Sequence, residues 1–110
     1  MPLGGWDPTT AVIPTNLTEE INQAFANVDL NLKTAGGKGW SQVYKMTTYH
    51  VGINEETMTA IGAAVRKWMP DHAPLWNLIG VAQLGLPEMH VEIVVTAHDP
   101  EGAKTGKDGC

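Results

Sequence analysis

The sequence predicts one α+β domain, a small sheet with two helices packed on one face. Three observations carry this: a length of 110 residues, two stretches with apolar residues at helical spacing, and three β-branched or aromatic stretches that suit strands. A chain of this length holds one hydrophobic core, so every functional residue must fit on one layer of sheet and helix.

Met1 to Pro14 contain three prolines and the run Gly4-Gly5-Trp6-Asp7-Pro8, a composition of turns and extended chain. An extended leader over residues 1–15 is expected, with no regular element before Leu17. From there Leu17, Ile21, Phe25, Val28 and Leu32 step by three and four, Asn16 and Glu19 read as a capping box, and Gly36-Gly37 supplies the stop. Trp40 to Val51 is rich in Val, Tyr and Thr and reads as a strand. A second helix begins at Asn54, with Glu55 and Glu56 at its positive end and Arg66 and Lys67 at its negative end, and stops before Pro70. Met58, Ile61, Val65 and Trp68 are its expected buried stripe.

Leu75 to Leu84 reads as a strand, and Met89 to His98 as another. The last is the most informative, because Met89, Val91, Ile93, Val95 and Ala97 alternate with His90, Glu92, Val94, Thr96 and His98. One face is apolar enough to meet the helices. The other sets a carboxylate between histidines, which suits a subunit interface or cleft, since a sheet with helices on one side leaves its second face uncovered. The domain is expected to span residues 1–98, with a disordered tail over 99–110.

Composition excludes several classes. A formal net charge of −5, with Arg66 the only arginine and six lysines scattered from Lys33 to Lys107, opposes nucleic-acid and anionic-lipid binding. No apolar run approaches the ~20 residues needed to span a bilayer, and no signal pattern opens the chain, so a cytoplasmic protein without a membrane partner is expected. Cys110 has no second cysteine to pair with. His50, His72, His90 and His98 form no metal motif; the last two stand about 26 Å apart along a strand. No metal and no cofactor are expected. Ser41, the only serine, lacks a nucleophile elbow.

Gln23-Ala24-Phe25-Ala26-Asn27-Val28, Val43-Tyr44-Lys45-Met46-Thr47-Thr48-Tyr49, Val81-Ala82 and Val91-Glu92-Ile93 through Ala97 together resemble the RidA/YjgF family over roughly residues 4 to 98. Gly37-Lys38-Gly39-Trp40-Ser41-Gln42 and Trp68-Met69-Pro70-Asp71-His72 are most similar to its fungal branch. The resemblance implies a chorismate-mutase-like α+β fold, a homotrimer, and ligand clefts between subunits. It also implies hydrolysis of enamine and imine intermediates, in which an arginine holds the substrate carboxylate and a glutamate positions water.

Glu92 matches the glutamate. The arginine position holds Trp76, whose indole has one donor and no charge. The family's common cysteine corresponds to Leu78, and its helix asparagine to Gly62. Tyr49 and His50 end a strand near the implied cleft and are candidate ligand contacts, although exposed strand ends explain them equally well. Members usually begin with two further strands that carry a cleft-closing tyrosine, and the sequence lacks them before Gly4.

Glu92 is either a carboxylate at a subunit contact or the group that handles a proton; Trp76 is either a packing residue or an apolar wall in place of the clamp. The expectation is a divergent small-molecule enzyme acting on a neutral metabolite, as in a natural-product cyclisation, isomerisation or dehydration. The alternatives are 2-imino acid deamination, for which Lys45 or Arg66 would supply the cation, and a non-catalytic ligand-binding or chaperone-like trimer. Ribonuclease activity is the weakest reading, given the acidic balance.

Overall fold

The computed structural model describes residues 3–100. A four-stranded sheet runs in the order β1-β4-β2-β3, with β1 Leu3–Gly4, β2 Val43–His50, β3 Leu75–Gly80 and β4 Val91–Ala97. β2 is parallel to β3 and antiparallel to β4, and β1 is antiparallel to β4. Helices α1 Leu17–Thr34 and α2 Glu55–Trp68 pack on one face. This is the predicted α+β arrangement with a mixed sheet.

The helix signals act as their chemistry requires. Asn16 Oδ1 accepts the Glu19 N–H and Asn54 Oδ1 accepts the Thr57 N–H, so both helices begin on a side-chain cap. At the far end of α1, Gly36 takes φ of 101°, letting Gly36 N–H reach Lys33 O and Gly37 N–H reach Leu32 O. Ile21, Ala24, Phe25 and Val28 of α1 meet Ala60, Ile61 and Ala64 of α2 above Met46, Val91 and Ile93 of the sheet.

Four expectations need correction. The leader contains β1, which pairs Leu3 with Ile93; Asn27 of α1 holds it by donating to Gly4 O and Trp6 O. These bonds lie 21 and 23 residues apart in the chain, beyond the reach of a local pattern. Trp40 is not in a strand: Gly39–Gln42 form a 3₁₀ turn that stacks its ring on Phe25 at 4.7 Å and lets its Nε1 donate to Phe25 O. The buried stripe of α2 keeps the expected Ile61 but adds Thr57, Ala60 and Ala64, while Val65 and Trp68 are only partly buried against the core and Met58 is 49% exposed, because the helix turns this face toward α1. The last two strands are also shorter than expected, ending at Gly80 and beginning at Val91. The expected disordered tail lies outside the described residues from 101 onward. Among the described residues no helix is long and apolar enough to cross a membrane.

Candidate functional site

Strand alternation divides the candidate residues between two faces. An irregularity between Val43 and Lys45 resets β2, after which Met46, Thr48 and His50 point under the helices while Lys45, Thr47 and Tyr49 point away. The registers then extend both sets. On the open face Tyr49 stands between Ile79 and Glu92, Thr47 between Asn77 and Val94, and Lys45 between Leu75 and Thr96. Leu75 is 71% exposed, whereas Tyr49 and Glu92 at the other end are half-buried. Glu92 and Tyr49 are thus direct cross-strand neighbours, a carboxylate beside a phenol, on a face no described element covers.

The covered face holds a different set. Trp76 and Leu78 pair with Met46 and Thr48 and pack against the core, on the edge strand of the sheet. Trp76 Nε1–H donates to Thr48 Oγ1 at 3.0 Å, and the same oxygen lies 2.8 Å from His50 Nε2. Gly62 lies on α2 with only the Arg66 side chain within 4 Å of where a β-carbon would stand. The α2 flank of Ala60, Ala63 and Lys67 faces α1, so Gly62, Met58 and Val65 fall on the opposite flank.

His50 is not at a surface-exposed strand end. It is fully buried because it shares the period of Met46 and Thr48, and burial holds its imidazole below the ordinary pKa, favouring the neutral ring. Its Nδ1 has no protein partner. His90 also departs from expectation. It precedes β4 and turns to α1, where the buried Glu20 carboxylate accepts both its backbone N–H, at 2.6 Å, and Nδ1–H, at 2.9 Å. Glu20 therefore straps the β3–β4 connection to α1, a role that no local sequence signal marks because its partner lies 70 residues away. His72 bonds to Val43 O, and no group of three or more His, Cys, Asp or Glu among the described residues is placed to hold a metal.

The sequence profile described as endoribonuclease L-PSP matches residues 3–99. The chain belongs to this family, that of RidA and YjgF. The Rid-family protein of unknown function YyfB from Yersinia pestis is 28% identical, with a TM-score of 0.78 over 87% of this chain and 73% of its own. RidA from the Antarctic bacterium Psychrobacter is 20% identical, with a TM-score of 0.77 over 86% of this chain and 74% of its own. A YjgF-family protein from Mycobacterium tuberculosis shares 17% identity, with a TM-score of 0.76 over 90% and 75% of the two chains. The last two likenesses concern the fold alone. No curated protein matches the chain.

Within the RidA/YjgF frame, Trp76 and Leu78 come together on the covered side of the β3 edge, and Glu92 and Tyr49 on the open face, while Gly62 is not brought against either pair. One sheet separates the two groups. Thr48, which the sequence did not single out, links Trp76 to His50; the strand period combined with a correct β2 register would have placed it between them.

Proposed function

We propose that this RidA/YjgF-family chain is a small-molecule enzyme of divergent chemistry, binding a neutral organic metabolite in a cleft between protomers of a homotrimer. The observation that carries the reading is Trp76. At the position where the resemblance implies a carboxylate-binding arginine stands an indole whose only donor is already bonded to Thr48, so the side chain offers a ligand ring surface and no charge.

Because Trp76 and Glu92 occupy opposite faces of one sheet, a single cleft that contains both must draw them from different protomers. The open face supports such an assembly. Leu75 and Ile79 are exposed on it, apolar side chains on a sheet face that no described element covers. In the cleft, Glu92 takes or gives the proton while Tyr49 beside it holds an oxygen of the ligand, and Leu78 shapes the wall around Trp76. Cyclisation, isomerisation and dehydration of a natural product all need this proton transfer and no anionic handle. The resemblance of Gly37-Lys38-Gly39-Trp40-Ser41-Gln42 to the family's fungal branch supports such a role. Cleavage of RNA is opposed by the net charge of −5.

The test is deamination. When 2-iminobutanoate is generated in the presence of the protein, release of 2-oxobutanoate should proceed at the buffer rate. Acceleration abolished by Glu92→Gln, with the assembly intact, would overturn the reading in favour of 2-imino acid deamination through a substitute cation.

A further inference from the structure

Trp76, Thr48 and His50 form a chain of hydrogen bonds. Thr48 and His50 are fully buried, whereas Trp76 reaches partial exposure at the β3 edge. A hydroxyl has one proton and two lone pairs. Thr48 Oγ1 accepts from Trp76 Nε1–H, and if its own proton goes to His50 Nε2 both contacts are satisfied. If His50 Nε2 instead donated, Thr48 would accept twice and its own proton would lack a partner; with Thr48 donating, the neutral imidazole carries its proton on Nδ1, which has none either. In both arrangements Thr48 Oγ1 accepts the indole N–H. The indole is held at one end by a group that the core keeps from rotating.

From this we infer that Thr48, backed by His50, is a positioning and specificity residue: it consumes the one polar group of Trp76 and sets the ring plane, so that the β3 edge selects uncharged planar ligands over their carboxylates. The inference rests on the proposed ligand role of that edge. It extends the role to a residue that no ligand touches, and it specifies the ligand class as flat and uncharged. A free indole N–H would serve as a donor to an anionic oxygen; one already bonded inside the protein does not.

Side-chain nitrogen-proton spectra test this, with the Trp76 signal assigned by Trp76→Phe and with indole and indole-3-carboxylate as the probes. The Trp76 proton should exchange slowly in the unsubstituted protein. Thr48→Val, nearly isosteric, should speed that exchange about tenfold and reduce the preference for indole over indole-3-carboxylate by about the same factor, the scale of one lost hydrogen bond. Thr48→Ser should restore both. Exchange at the rate of free indole in the unsubstituted protein overturns the chain of bonds, whether or not the Thr48 variants fold. Faster exchange in Thr48→Val with an unchanged preference overturns the specificity role alone. A protected Trp76 proton with neither probe bound overturns the functional reading of the edge and this role with it.

Discussion

The two faces of the sheet are built from the same strands by opposite rules. Under the helices Met46 and Ile93 lie in apolar packing, and the polar Thr48 and His50 bond to each other because an unpartnered buried polar group is costly, with His50 Nδ1 left as the exception. On the open face Leu75, Thr47, Glu92 and Thr96 mix apolar and polar groups with no such accounting, since water satisfies what the protein does not. Covered positions thus contribute to the stability of the protomer. Open positions are free to serve assembly and chemistry.

The largest expected effect separates the faces directly. Met46→Ala should lower unfolding free energy by about 2–5 kcal/mol, read from urea denaturation, because it leaves a cavity at a fully buried site. A loss as small as that of an exposed substitution would erase the distinction.

An intermediate effect comes from His50. Its folded-state pKa is depressed by burial, so the unfolded chain takes up a proton first as pH falls. Stability should therefore be complete above about pH 6.5. Below that it should decline by up to about 1.4 kcal/mol per pH unit until the folded-state value is reached. His50→Gln should remove this component from the pH profile of denaturation midpoints, and an unaltered profile would place the imidazole in water.

The smallest effect on protomer folding belongs to Leu75→Lys, within about 0.5 kcal/mol, since the residue is mostly exposed. Its consequence should lie in assembly: sedimentation should change from a trimer to a single chain. An unchanged trimer would remove the open face from the interface.

Much of the architecture was legible along the chain. The caps Asn16 and Asn54, the Gly36 stop and the apolar alternation of Val91 and Ile93 each act within a few residues of themselves, which is the range over which a sequence pattern carries information. Glu92 and Trp76 were likewise visible as residue types at matched positions. That Tyr49 faces Glu92 across two strands, and that His50 turns inward beside Thr48, depended on the irregularity near Val43, since a shift of one residue sends every later side chain to the opposite face.

Local periodicity and capping were therefore enough to establish the two helices, the three longer strands and the fold class, while Glu92 and Trp76 were singled out by the family resemblance. Which of those residues share a face, and which buried partners hold them, emerged only once distant segments met. The hydrogen bonds that decide it, Glu20 to His90, Asn27 to Gly4 and Trp76 to Thr48, join groups 70, 23 and 28 residues apart. Such bonds form when packing excludes water from both partners at once, a condition set by the assembled core and not by either stretch of chain alone.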